Sequence, residues 1–127
     1  MSETGGDRYL GTTRVVEALR RASPRLAAMP EEPDFVGDLA LGQLRGFAHR
    51  VTEDLRDGHV EEFPAIFEVI EENCGLDVVI LYFLESIYNI STHIVAPWPD
   101  GPARFLPWLG PDTRQWWDEW HAWVSGS

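Results

Sequence analysis

Any chemistry in this 127-residue sequence would come from a short set of side chains. Four histidines occur, at His49, His59, His93 and His121. His49 and Glu53 are four residues apart, so on a helix they share a face and would offer two ligands to a metal ion. No second histidine pair completes a ligand set, and the same spacing is common on solvated helices, so no metal is expected. Glu85, Asn89 and His93 form a second polar line at i, i+4 and i+8 on an otherwise apolar segment. A carboxylate drawn toward a core must be hydrogen-bonded or paired, or its pKa rises. One reading of this line is a polar pocket between helices, the centre of a small-molecule or metal-dependent enzyme. The others are a packing clamp in which Glu85 meets Arg45 or Arg50, and a face that simply meets solvent. The lone Cys74 falls at a helix C-terminus, where the dipole disfavours a thiolate. Neither a Gly-x-Ser-x-Gly element nor a glycine-rich phosphate loop is present. The sequence thus predicts no catalytic residue, no cofactor and no metal.

Charge narrows the possible partners. The ten basic residues are all arginines, against 21 acids, for a net charge of −11. Residues 1–50 balance, so the whole excess falls in residues 51–127. Within Glu53–Glu72 only Arg56 offsets eight acids. A binder of phosphate backbones needs the opposite sign, which excludes nucleic acid and anionic membranes as direct partners. A basic protein is the complement of this segment.

These side chains need helices to place them. Met1–Thr12 is polar and glycine-bearing and reads as a loose tail, leaving residues 13–127 as one helical domain. Val15, Val16 and Leu19 mark a short first helix, and Ser23-Pro24 starts a further turn or two with a serine cap and proline at the first helical position. Asp34 or Asp38 would cap the longest helix, whose stripe is Val36, Ala40, Leu44, Phe47, Ala48, Val51 and Leu55. Gly58 suits its left-handed stop. A helix from Val60 to Cys74 follows, with Phe63, Ile66, Phe67 and Ile70 on one face and Gly75 as its stop. The spacing predicts an all-α bundle of about five helices, with a long antiparallel hairpin formed by Gln43–Asp57 and Val60–Cys74.

Val78–Leu84 has strand-like composition, but no second strand of similar quality would pair with it, so a buried helix over Leu76–Ile94 is expected. Ala96–Pro107, with four prolines, reads as a loop. Gly110-Pro111-Asp112 opens a last helix whose apolar face is Trp116, Trp117, Trp120, Trp123 and Val124. All six tryptophans lie within the last thirty residues. Base stacking would need a basic groove beside them, and only Arg104 and Arg114 are near. Helical spacing favours packing for the last four, while Trp98 and Trp108 sit among prolines as possible partner anchors.

The run Leu41-x-x-Leu44-x-x-Phe47, Gly58, Phe63-x-x-Ile66-Phe67-x-x-Ile70-Glu71, Phe83-Leu84-Glu85 with Asn89, and Leu109-Gly110-Pro111 with Trp116-Trp117 resembles a family of small helical bacterial proteins, a domain of unknown function. The resemblance spans roughly Val15 to Val124. It implies an all-α fold in single-domain, intracellular chains and carries no catalytic residue; the proline-rich Ala96–Pro107 departs from it.

Absence of signal-peptide character at the N-terminus and a single cysteine favour a cytoplasmic setting. The function expected is therefore a non-catalytic interaction module of the immunity or antitoxin kind. It would bind a basic protein through Glu61, Glu62, Glu68 and Glu72. The enzyme centred on Glu85, Asn89 and His93 is the alternative. A third reading leaves the acidic face with no role beyond solubility.

Overall fold

Proline and glycine punctuation, read against a repeating apolar stripe, sets where several of the helices begin or end. A computed structural model describes residues 4–30, 39–93, 101–124 and 126. Among them there is no strand, and the fold is all-α: α1 Thr4–Ala22, α2 Pro24–Ala27, α3 Leu39–Asp57, α4 Phe63–Glu72, α5 Asp77–Val79, a π-helical turn Ile80–Leu84, α6 Glu85–His93, a 3₁₀ helix Gly101–Trp108 and α7 Pro111–Val124. The expected caps Asp34 and Asp38 of α3, and Trp98, lie outside the described residues. No helix among the described residues is long and apolar enough to cross a membrane.

Several local signals act as their chemistry requires. Ser23 is extended and its hydroxyl accepts the Leu26 N–H, while Pro24 takes the first helical position of α2. Gly58 adopts φ +83°, and the His59 and Gly58 N–H groups reach back to the carbonyls of Asp54 and Leu55. This pair of bonds satisfies two of the four carbonyls left free at the end of α3 and needs the left-handed residue that glycine supplies. Pro111 opens α7 as expected.

Elsewhere tertiary contacts override the local pattern. Helix α1 starts at Thr4 and not at Thr13; within it Thr12 is buried and Gly11 lies close against Leu76, so tertiary contacts hold the helix ahead of Thr13. Gly75 is not in the left-handed region; α4 already ends at Glu72, and the Asn73 side chain donates to the Val69 carbonyl. Helices α3 and α4 follow each other across Gly58, yet neither is the other's main packing partner. Helix α3 packs most extensively on the π turn and α6, and α4 on α1.

The segment Asp77–His93 is helical, as the lack of a strand partner requires, but it contains a π turn in which the Glu85 N–H bonds to the Ile80 carbonyl five residues back. The wider turn puts Val79 and Leu84, five apart, on the same buried side as Phe83 and Ile87. The expected loop is partly a 3₁₀ helix. Proline's fixed φ suits that conformation, and Phe105 within it is fully buried, its ring 6.0 to 6.4 Å from those of Phe63, Phe67 and Trp117. Leu19, Leu44, Phe47, Val51, Ile70, Phe83 and Trp117 complete the single core.

Candidate functional site

Helix α4 is rotated by its apolar face. Phe63, Ile66, Phe67 and Ile70 are buried, which turns Glu61, just ahead of the helix, and Glu68 and Glu72 to solvent. None of these three is paired with a cation among the described residues. The other two carboxylates of the segment are committed inside the molecule. Glu62, expected on the binding face, is half-buried: it accepts hydrogen bonds from the Ser23 hydroxyl and from the Arg25 backbone N–H, the latter at 3.3 Å. Its role is to hold the start of α2.

Glu71 does the equivalent at the other end. One carboxylate oxygen accepts the Asp112 N–H at 2.9 Å, and the other accepts the Thr113 N–H at 2.9 Å and the Thr113 hydroxyl at 2.6 Å. An anion supplied by α4 thus caps the N-terminus of α7, where free N–H groups and the helix dipole favour negative charge. Burial pushes the Glu71 carboxyl up, the bonds from Thr113 and Asp112 pull it down, and the bonds win. Gly110 makes room: a Cβ there would lie 2.5 Å from the Glu71 carboxyl group.

Asp54 makes a third structural contact. Arg25 forks onto it, Nη2 to Oδ1 at 2.7 Å and Nε to Oδ2 at 3.0 Å, with the Asp54 side chain 5% exposed. Ser23, Arg25, Asp54 and Glu62 together tie α2 to the end of α3 and the start of α4.

The alternative polar line is only partly brought together. Glu85 is half-buried, Asn89 is exposed, and the His93 side chain lies outside the described residues. Arg45, one of the expected clamps, places its guanidinium 5.2 Å from the centre of the Tyr82 ring. Two open grooves lie elsewhere. One of about 460 Å³ runs between α1 and the start of α3, past Val16, Glu17, Arg20, Leu39 and Gln43. The other, of about 320 Å³, lies beside Pro24, Arg25, Ala28 and Arg50. Neither is lined by Glu85 or Asn89.

His49 and Glu53 stand 4.0 Å apart and half-exposed, and no group of three or more metal-ligating side chains occurs among the described residues. Cys74 is buried; burial pushes its thiol up, a hydrogen bond with Thr113 opposes this, and the charges of Glu71 and Asp112 add to the rise. The upward direction matches the sequence reading, but burial and not the helix dipole is the main cause.

On α7 the expected apolar face divides. Trp117 is buried against Tyr88 and Phe105, whereas Trp116 and Trp120 are half-buried and Trp123 and Val124 are exposed. Trp108 is half-buried, its ring edge-on to Phe63 at 5.0 Å, so it packs on the core. The Tyr88 hydroxyl and His121 Nδ1 lie 2.7 Å apart and join α6 to α7.

No family model, curated protein or solved structure matches the chain. The likeness in the Phe83-Leu84-Glu85 and Leu109-Gly110-Pro111 elements therefore assigns it to no family and lends it no function.

Proposed function

We propose that this protein is a non-catalytic interaction module of the cytoplasm that docks a basic protein partner through Glu61, Glu68 and Glu72, in the manner of immunity or antitoxin proteins. One observation carries the reading. The carboxylates around α4 divide into two kinds: Glu62 and Glu71 serve the fold, and Glu61, Glu68 and Glu72 face solvent and form no ion pair among the described residues. Exposed charges that form no ion pair among the described residues, on a molecule with net charge −11, remain available to attract an oppositely charged surface and raise its rate of encounter.

The test is a triple variant, Glu61→Gln, Glu68→Gln and Glu72→Gln, compared with the parent chain. Partner captured from the native cell would be measured for its association rate at rising salt. The expected result is a parental rate that falls steeply with salt and a triple variant that associates more slowly, with unchanged helix content. Equal rates for both, insensitive to salt, would leave the charge a solubility device and refute the reading.

A further inference from the structure

Helix α7 bears an aromatic ridge that core packing does not use up. Trp116 and Trp120 stack with centroids 5.7 Å apart and planes 10° from parallel, and Trp120 and Trp123 continue the stack at 5.1 Å and 29°. Trp117 faces the other way and docks the helix to the core. The ridge ends in the open: Trp123 is 72% exposed and Val124 43%. One face of the Trp123 indole is therefore covered by Trp120 and the other meets water.

A carboxylate runs alongside. Glu119 precedes Trp123 by four residues and so shares its face of the helix; among the described residues it forms no ion pair and accepts a hydrogen bond from the neutral Gln115 side-chain amide at 3.3 Å. Asp118, by contrast, is occupied by Arg114 at 3.0 Å. An open indole face beside an unneutralised carboxylate matches the two halves of a guanidinium. The flat cation stacks on the ring while its N–H fork reaches the carboxylate, a combination that the compact lysine ammonium cannot reproduce.

We propose that Trp123, held in place by Trp120 behind it, and Glu119 form a docking site for arginine side chains of a basic protein partner. The inference rests on the basic-partner reading above but locates a second contact surface, on α7. Charge selects the occupant. A second copy of this chain would bring a further −11 to the interface, whereas a cationic segment is attracted and finds the exposed tryptophan that interface centres favour.

The probe is a deca-arginine peptide titrated into the full chain at physiological and high salt, with deca-lysine and deca-citrulline peptides as comparisons. The parent should bind the arginine peptide more tightly than the lysine peptide and should not bind the citrulline peptide. Trp123→Ala should weaken arginine binding roughly three- to tenfold and abolish the preference over lysine, since the ring supplies the cation–π term. Glu119→Gln should weaken it too, and circular dichroism should show both variants folded. Three results would overturn the proposal. They are unchanged binding by Trp123→Ala, binding of citrulline equal to that of arginine, or a parental dimer that Trp123→Ala dissolves. The Glu61, Glu68 and Glu72 triple variant separates the two surfaces. Loss of arginine-peptide binding there, with none in Trp123→Ala, sinks this proposal and leaves the α4 reading standing; the reverse pattern does the opposite.

Discussion

Replacing Glu71 with glutamine tests the idea that α4 caps α7. The wild-type carboxylate accepts three hydrogen bonds, from the Asp112 and Thr113 N–H groups and the Thr113 hydroxyl. The amide keeps one oxygen but turns an NH₂ group toward one of the backbone donors, which loses its acceptor, and the charge facing the helix dipole disappears. Cap losses of this kind cost about 1–2 kcal/mol, at the lower end where solvent reaches the site. For a chain of this size that lowers the melting temperature by about 4–8 °C.

The pH dependence has a definite sign. The folded-state pKa of Glu71 lies below the ordinary value of 4.5, so the unfolded chain binds the proton first as pH falls. The stabilisation is fully present above that ordinary value and is lost as pH falls through the lower, folded-state one. Urea unfolding followed by tryptophan fluorescence should therefore show a gap between parent and Glu71→Gln at neutral pH that narrows in acid. A variant as stable as the parent at neutral pH, or a gap that does not change with pH, would refute the capping argument.

Two further substitutions probe the fold. Gly58→Ala meets no neighbour within 4 Å, so its cost is the left-handed backbone alone, about 1–2 kcal/mol, read as a lower urea midpoint with an unchanged m-value. Phe105→Ala should cost about 3–5 kcal/mol in the same assay, because it empties a fully buried site among Phe63, Phe67 and Trp117; a cost near zero would make the 3₁₀ segment an appendage.

Features that act within one turn of their own helix were readable from sequence. The Ser23 cap, the Gly58 stop, Pro111 at the start of α7 and the apolar stripes of α3 and α4 each depend on neighbours a few residues away. What escaped depends on residues far along the chain. Nothing around Glu71 signals that its acceptors will serve N–H groups 41 and 42 residues later, and nothing around Glu62 signals Ser23. Both look like solvated helix carboxylates, and in sequence Glu62 is indistinguishable from Glu61, Glu68 and Glu72. Gly75 shows the opposite error, a local rule applied where Asn73 already ends the helix. Phe105 was hidden by its prolines, which suggest a loop but equally suit a 3₁₀ helix, and the π turn leaves no periodicity that distinguishes it from an ordinary buried helix. For the exposed carboxylates of α4, their position on the solvent side followed directly from the stripe of Phe63, Ile66, Phe67 and Ile70.

The two carboxylates at the ends of α4 also bear on the order in which the chain can assemble. Glu62 closes a loop of 39 residues back to Ser23, and Glu71 closes one of 42 residues forward to Thr113. The entropy of closure grows only with the logarithm of loop length, so the two closures are nearly equal in difficulty, and neither half of the chain has a head start. Each has one foot on the same ten-residue helix. Until α4 is formed and seated, the start of α2 and the start of α7 both lack their anions. One helix therefore anchors both the start of α2 and the start of α7, so a change that unseats α4 should loosen both ends of the molecule together.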